Sequence, residues 1–279
     1  MEKILVPCDF SEQAIHAFRL AIDIAHNSSA EVHVLHVIEL PIMHDDVLTP
    51  LPSFDENLLK ELGERAEIKL AELKKESKQD LFVTTIIEFG PIVSTITNYQ
   101  EANNISLIVM GTKGISGIEE VFIGSTAEKV VRHASCPVAV VKRRTAVSEL
   151  RHIVFPNSLE KGQEDLVLHV KALQDVLKAT LHIVWIDTSD KSDDHMLIKQ
   201  QLEDFAKRFM LKDYTINVFK ANDRETGIIN FTHWINASMI AMGTHARKGL
   251  SHFFKGSVTE DVVNHVDCPI WTYVIKGNQ

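Results

Sequence analysis

Residues 107–125 read LIVMGTKGISGIEEVFIGS, and residues 239–257 read MIAMGTHARKGLSHFFKGS. Each stretch is a short apolar run followed by a glycine, and each ends in Gly-Ser. The glycine interval is the same in both, 13 positions from Gly111 to Gly124 and 13 from Gly243 to Gly256. The two stretches align at a constant offset of 132 residues, so we infer that the chain contains two copies of one unit.

The length of 279 residues fits two domains of ordinary size. We place them at residues 1–143 and 150–279, with a short linker over residues 143–150. Pro7 and Pro156, which follow the first apolar run of each copy, are 149 residues apart. The second copy is therefore 17 residues shorter in its middle, where it lacks the proline-rich stretch at residues 40–53.

Short apolar runs alternate with longer amphipathic stretches in both copies. The predicted strands of the first copy are Ile4–Val6, Val32–Ile38, Phe82–Glu88, Leu107–Met110 and Val138–Val141. Those of the second copy are Ile153–Phe155, Leu181–Ile186, Thr215–Phe219, Met239–Met242 and Ile270–Val274. The helices predicted between the strands of the first copy begin near Ser11, Asp55, Pro91 and Ser125. Such alternation is typical of an α/β fold in which helices flank a doubly wound parallel sheet.

Composition excludes several classes of function. The net charge of -9 argues against a general nucleic-acid-binding protein, and no apolar run is long enough to span a membrane. The 14 histidines show no metal-binding spacing, so no metal site is predicted. Three scattered cysteines and an N-terminus that runs directly into a strand favour a cytoplasmic protein.

The glycine stretch has the chemistry of an anion-binding loop. Gly111 and Gly114 would let the backbone turn with positive φ and expose N–H groups. Gly124-Ser125-Thr126 would open a helix whose free N–H groups and dipole attract phosphate. The alternative is structural, because Ser125 and Glu128 fit a capping box, as do Ser257 and Glu260 in the second copy. The residues alone leave both readings open.

The stretch contains neither a Walker A motif nor G-x-G-x-x-G after the first strand. Gly111-x-x-Gly114, nine residues and Gly124-Ser125 resemble instead the signature of ATP-binding universal stress proteins. The segments Ile4-Leu5-Val6-Pro7-Cys8-Asp9, Leu35-His36-Val37, Ile108-Val109-Met110-Gly111 and Cys136-Pro137-Val138 are also similar to that family. The resemblance covers nearly the whole chain as a tandem pair.

The resemblance implies five parallel strands in the order 3-2-1-4-5 in each half. It implies that ATP, or AMP or ADP, binds the first half, with Mg²⁺ as a further candidate. The residues implied to contact the nucleoside are Asp9, Val37 and Met110. The residues implied to contact the phosphates are Gly111, Lys113, Gly114, Gly124, Ser125 and Thr126. It also implies an internal pseudo-dimer through the Val138 and Ile270 strands, with a homodimer and unknown protein partners as further expectations.

The second copy departs from this signature. Ala246 replaces Gly114, and Asn157-Ser158 replaces Cys8-Asp9, so the carboxylate is lost. An alanine methyl there would crowd a phosphate, and the residue would be strained if φ were positive. We therefore expect the first half to be the main site. A second site would be weakened or tuned to another anion, and would comprise Gly243, His245, Gly256, Ser257 and Thr259.

Other residues carry weaker signals. Asp9 is equally suited to contact a nucleoside, to position Mg²⁺ or to cap the first helix. Cys8 lies where a reactive thiol is conceivable, whereas Cys136 and Cys268 fit packing roles.

Three functions compete. The leading one is a stress-response module whose nucleotide state alters partner contacts. The alternatives are a slow Mg-dependent ATPase or phosphotransferase that uses Asp9, and a scaffold that binds no nucleotide. No general base, arginine finger or acyl nucleophile is recognisable, so fast catalysis is not expected.

Overall fold

The structure is a computed structural model of the 279-residue chain. It describes residues 1–39, 56–77, 80–112, 123–189, 194–245, 262 and 265–275. The proline-rich stretch and much of both glycine stretches lie outside these residues.

Strands and helices alternate through the first half. The elements are β1 (Lys3–Pro7), α1 (Glu12–Ser28), β2 (Glu31–Ile38), α2 (Glu56–Lys75), β3 (Val83–Phe89), α3 (Ile92–Ala102), β4 (Leu107–Gly111), α4 (Ser125–His133) and β5 (Val138–Val141). The predicted strands and helices are present, with boundaries within three residues of the prediction.

The second half repeats the order after a single 3-10 turn at Val147–Glu149, inside the predicted linker. Its elements are β6 (His152–Pro156), α5 (Glu164–Leu177), β7 (Thr180–Asp187), α6 (His195–Arg208), β8 (Tyr214–Lys220), α7 (Arg224–Trp234), β9 (Met239–His245) and β10 (Ile270–Ile275). Among the described residues, no helix combines the length and the apolar character needed to cross a membrane.

Local sequence explains how α1 begins and ends. Ser11 is its N-cap, and the Ser11 side chain accepts a hydrogen bond from the Ala14 N–H. Its buried face is apolar and includes Phe18, Leu20 and Ile24, which pack against the sheet. The helix ends at Ser29, whose left-handed backbone (φ 56°) closes the last turn.

The ten strands of the described residues form one sheet in the order β3-β2-β1-β4-β5-β10-β9-β6-β7-β8. Each half therefore has the order 3-2-1-4-5 that the family resemblance implies. Within a half, all strand pairs are parallel, as the helical crossovers require. The fold is thus a tandem pair of doubly wound α/β units.

The core has two layers. On one face of the sheet, α1, α2, α5 and α6 cover a single apolar cluster that runs through both halves. On the other face, α3 and α4 cover a separate cluster in the first half, and α7 covers the corresponding cluster in the second. Each half of the sheet is buried on both faces, which explains its almost continuous apolar strands.

The two halves join through an antiparallel pair of their last strands, β5 and β10. Trp271 lies opposite Ala139, and both side chains are buried. The Thr272 hydroxyl adds a hydrogen bond to the Val138 carbonyl at 3.2 Å. Away from the sheet, the Asn27 side chain of α1 donates to the Val176 carbonyl of α5 at 3.4 Å. Strand pairing and helix packing therefore both tie the halves together.

Ala139→Asp tests this junction. The new carboxylate would be buried opposite Trp271 without a partner, so the free energy of unfolding should fall by about 3 kcal/mol. Urea denaturation followed by circular dichroism measures the change. Ala102→Asp, on the exposed end of α3, is the control and should stay within about 0.5 kcal/mol of the wild type. Equal stability of both variants would contradict the β5–β10 pairing.

Candidate functional site

The carboxyl edge of the first sheet brings together residues from three strands. β1 pairs with β2 on one side and with β4 on the other. Asp9 follows β1, Val37 lies near the end of β2, and Met110 and Gly111 end β4. Met110 is buried and Val37 is half-buried against the same apolar cluster. Four of the residues predicted to bind nucleotide therefore lie at one edge, where the strand order reverses.

Hydrogen bonds fix the loop that carries Asp9. The Cys8 N–H donates to the Leu35 carbonyl at 2.9 Å, and His36 Nδ1 donates to the Cys8 carbonyl at 2.7 Å. Phe10 then adopts a left-handed backbone, with φ of 65°. These contacts anchor the loop to β2 and hold Asp9 at the sheet edge.

Asp9 does not cap α1. Its Oδ1 accepts from the Ser11 N–H at 3.0 Å and closes the turn before the helix, while Ser11 itself is the N-cap. The prediction that Asp9 caps α1 was therefore wrong, because Ser11 occupies the cap position and Asp9 closes the turn that precedes it.

Gly111 is required by packing. A Cβ on Gly111 would lie 2.7 Å from the backbone carbon and the Cβ of Gln13, and 3.0 Å from the Ala14 nitrogen. The first turn of α1 thus rests directly on the end of β4. This glycine was predicted to permit ligand approach and positive φ, but the described backbone needs it for helix–strand contact.

The N-terminus of α4 lies beside β4. The Gly124 N–H donates to the Thr112 carbonyl at 2.5 Å, which ties the helix start to the strand end. Gly124 is the N-cap and has φ of -64°, a conformation open to any residue. A side chain at an N-cap position lies over the first N–H groups of its helix.

The capping box predicted for α4 is not formed. Ser125 is the first helical residue, and no side-chain hydrogen bond caps the described N-terminus at Gly124. Glu128 instead pairs with Arg132 at 2.7 Å, one turn along the same helix. The structural explanation of Gly124-Ser125 is thereby weakened, and within the described residues the first-turn N–H groups at the carboxyl edge have no cap from the N-cap side chain.

A cleft of about 760 Å³ runs between α3 and α4 along their length, from Pro91 to Glu101 on one side and from Ser125 to His133 on the other. Ser125 and Thr126 line it together with Lys129, while Ser94 and Thr97 form the opposing wall. It contains two of the predicted phosphate ligands and a lysine that sequence reasoning missed. The signal for Lys129 was its position one helical turn after Ser125.

Several predicted residues lie outside the described part of the chain. They are Lys113, Gly114, Gly256, Ser257 and Thr259. His245 is the last residue of β9, which extends two residues beyond Gly243, whereas β4 stops at Gly111. A Cβ on Gly243 would meet the Ile275 and Leu166 side chains at 2.6 and 2.8 Å, so this glycine also serves packing.

The carboxyl edge of the second half has different chemistry after β6. The side chain of Asn157 is buried and donates to Gln163 Oε1 at 3.1 Å, while its oxygen accepts from the Leu159 N–H at 2.7 Å. Asn157 thus closes its own loop. The carboxylate of Asp9 is replaced by the hydroxyl of Ser158.

A buried carboxylate lies nearby at the end of β7. Asp187 is 1% exposed and accepts hydrogen bonds from the Ser189 hydroxyl at 2.6 Å and from His195 Nε2 at 2.9 Å. Lys220 Nζ, on β8, lies 3.4 Å from Asp187 Oδ2 and also donates to the Ser189 carbonyl. The hydrogen bonds from Ser189 and His195 hold the pKa of Asp187 well below its ordinary value.

The corresponding register position of the first half is apolar. There, Ile38 pairs with Phe89, whereas Asp187 pairs with Lys220 in the second half. The ionic cluster links β7, β8 and the start of α6. Few residues separate the end of β7 from the start of α6 in the sequence. The first half instead continues from Ile38 into its longer proline-rich stretch.

The cysteines are buried thiols. Burial raises the pKa of Cys8 to about 11, that of Cys136 to about 12 and that of Cys268 to about 11. The thiolate form is therefore rare at neutral pH, which removes Cys8 as a reactive group. In the described part of the chain, no group of three or more His, Cys, Asp or Glu side chains is arranged to hold a metal.

Comparison with known proteins adds an independent result. The sequence model of the universal stress protein family matches residues 1–142 and, separately, residues 151–273. A universal stress protein of Methanocaldococcus jannaschii is 34% identical over 147 residues, covering 51% of this chain and 82% of that protein. The Bacillus subtilis universal stress protein YxiE is 31% identical over 147 residues, covering 50% of this chain and 98% of its own.

A solved structure agrees at the level of the fold. The universal stress protein from Archaeoglobus fulgidus has a TM-score of 0.78 at 20% identity. The match covers 99% of this chain and 97% of that chain, so the tandem arrangement is shared.

Gly111→Ala tests the packing role. Its Cβ would press on the backbone of α1, so the free energy of unfolding without nucleotide should fall by about 2 kcal/mol. Gly63→Ala is the matched control, because its added Cβ in α2 would meet no described atom within 4 Å beyond its chain neighbours and the backbone of its own helix. That change should stabilise the protein by up to about 1 kcal/mol. Urea unfolding of both variants decides, and a neutral Gly111→Ala would refute the close contact.

Asp187→Asn tests the ionic cluster. A depressed pKa means that the carboxylate stabilises the fold above its unfolded pKa, near 4, and that this contribution is lost as the pH falls through the folded value. The variant should therefore be less stable by about 2 kcal/mol at neutral pH, with a smaller difference in acid. Asp175→Asn, on the exposed side of α5, is the control. A pH-independent difference would contradict the assignment.

Proposed function

This chain belongs to the universal stress protein family, and we propose that its first half binds an adenine nucleotide, with ATP as the main ligand. The observation that carries the proposal is the N-terminus of α4, where the N-cap is a glycine without a side chain and which lies at the same sheet edge as Asp9, Val37 and Met110. The resemblance of the glycine signature to that of the ATP-binding members supports the same ligand.

The phosphates would occupy the start of α4. Helix N-termini bind anions because their first N–H groups have no partner in the helix and the dipole is positive there. Ser125 and Thr126 would add hydroxyl donors, and both line the cleft between α3 and α4. Lys113 and Gly114 are proposed contacts from the glycine stretch. Lys129, one turn along α4, would compensate the charge of a longer phosphate chain, which favours ATP or ADP over AMP.

The nucleoside would lie toward β1 and β2. Val37 and Met110 offer apolar surface for adenine, and Asp9 offers a carboxylate for the ribose hydroxyls. The carboxylate oxygens of Asp9 are also of the kind that Mg²⁺ prefers, so the residue fits a Mg-nucleotide complex. Bound Mg²⁺ would neutralise phosphate charge.

We propose that the second half is the weaker site. Besides Ala246 and Ser158, Asp261 stands at the aligned sequence position of Lys129, which reverses the charge at that position. The Asn157 side chain makes its hydrogen bonds within its own loop, to Gln163 and Leu159. These differences all lower the affinity for phosphate at the second edge, and they leave the packing glycine Gly243 in place.

The proposed action is a change in partner contacts that follows nucleotide binding. The antiparallel β5–β10 pair supports an internal pseudo-dimer, in which the two edges belong to one rigid sheet. Ligand at the first edge would then alter the surface of α3 and α4, where the cleft lies. Protein partners and a further homodimer would use that surface or the outer strands.

Matched glycine substitutions test the proposed site. Gly124→Val should weaken binding of Mg-ATP at least about tenfold, because a branched side chain stands over the start of α4 while φ of -64° still permits valine. Gly256→Val makes the same change in the second half and should leave the main affinity unchanged. Isothermal titration measures binding, and thermal unfolding without ligand checks the fold of each variant.

The outcomes are distinct. Absence of binding by the wild type at millimolar Mg-ATP would refute the nucleotide proposal and favour the scaffold. Equal loss in both variants would refute the assignment of the main site to the first half. Phosphate release that is abolished by Asp9→Asn, with ATP binding retained, would establish the slow ATPase instead.

A further inference from the structure

Two histidines meet at the amino edge of the second sheet, opposite the edge that carries the proposed nucleotide site. His152 begins β6, and His182 is the third residue of the neighbouring strand β7. His152 Nδ1 lies 3.1 Å from His182 Nε2, and the ring centroids are 5.3 Å apart. The residues are 30 positions apart in the chain, so no sequence motif signals the pair.

The backbone of His152 is held on both sides. Its N–H donates to the Ser238 hydroxyl at 2.9 Å, and its carbonyl accepts from the Ser238 N–H at 2.9 Å. The ring therefore projects from a fixed strand position at the centre of the second sheet, between β9 and β7. A ligand at this ring would need little reordering of the backbone.

The ring of His182 is held from the other side. His182 Nδ1 lies 2.9 Å from the Thr215 hydroxyl, which also accepts from Asn217 Nδ2 at 2.9 Å. With its proton on Nδ1, His182 donates to Thr215 and directs the lone pair of Nε2 toward His152. A hydrogen bond from the second ring nitrogen is the usual way in which proteins orient a metal-binding imidazole.

We propose that His152 and His182 chelate a late first-row divalent ion, of which Zn²⁺ is the representative, through Nδ1 and Nε2 respectively. Two imidazole nitrogens bound to one tetrahedral Zn²⁺ lie about 3.3 Å apart, close to the separation found here. Neutral imidazole suits zinc, copper and nickel, whereas Mg²⁺ and Ca²⁺ prefer oxygen. Water would complete the coordination, since a pair supplies only two positions.

The protons of the pair can be rearranged to admit a metal. In the hydrogen-bonded pair, the Nδ1–H of His152 donates to Nε2 of His182. Metal binding needs His152 to carry that proton on Nε2 instead, and this nitrogen belongs to an exposed side chain. The proton moves within one ring, so no net proton is released.

A carboxylate near the pair favours a cation there. Asp213 lies close enough to His182 for its negative charge to act on that ring. Asp213 Oδ2 is itself fixed by the Thr180 hydroxyl at 3.1 Å.

The first half lacks this pair although it keeps the surrounding framework. Lys3 stands at the position of His152, and Ser106 binds the Lys3 backbone as Ser238 binds that of His152. His33 stands at the position of His182, but its Nδ1 lies 2.7 Å from the Tyr99 hydroxyl. The difference confines the proposed metal site to the second half.

Zinc titration of the full chain tests the proposal. His152→Lys recreates the residue found in the first half, and His182→Ala removes the other ligand. Either change should weaken the tightest Zn²⁺ equivalent at least tenfold in isothermal titration near neutral pH. His233→Ala, an exposed histidine on α7, is the control for background binding by the 14 histidines and should leave that equivalent unchanged.

Nitrogen-15 spectra of the histidine rings locate the metal. Zinc should shift His152 Nδ1 and His182 Nε2 first, before other rings respond. Zinc affinity that is equal in the wild type, His152→Lys and His182→Ala would overturn the proposal, as would first shifts at other histidines. Thermal unfolding without metal verifies that each variant is folded. The result is independent of nucleotide binding, because the pair lies at the opposite edge of the sheet.

Discussion

The parallel pairing of β1 with both β2 and β4 is the constraint on which the site depends. The strands of a half all run in the same direction, so they all end at the same edge of the sheet. The chain then leaves β1 and β4 toward opposite faces of the sheet. Asp9, Val37 and Met110 gain their common location from this order. The close contact of α1 with Gly111 then fixes the position of the first turn of α1 against the end of β4.

The two halves keep the same framework while their edges differ. Both halves have the same strand order. In both, the residue after the first strand donates a backbone hydrogen bond to the second strand, and a serine before the fourth strand binds the backbone of the first strand. The carboxyl edge of the first half pairs Ile38 with Phe89, whereas the second has the buried cluster around Asp187. Core packing is therefore compatible with a change of chemistry at the strand ends, and one copy can retain a ligand site that the other has altered.

Sequence periodicity predicted most of the fold, because strands and helices depend on local pattern and on punctuation by proline and glycine. The bounds of α4 and β5 agree with the prediction, whereas β9 runs on to His245 because β10 pairs with it that far. The reasons for individual site residues were harder to predict. Gly111 was predicted to permit ligand approach, but a side chain is excluded there by Gln13 of α1, which is distant from Gly111 in the sequence. Asp187 and Lys220, like the two histidines, meet only through strand register.

We propose that one half of this duplicated fold binds ATP and that the other does not bind it tightly. Native mass spectrometry of the purified chain with Mg-ATP counts the bound molecules directly. One ATP per chain at concentrations that saturate the first site is the result we predict. Two equally tight ATP molecules per chain would contradict the account, because Ala246, Ser158 and Asp261 would then have no effect on the second edge.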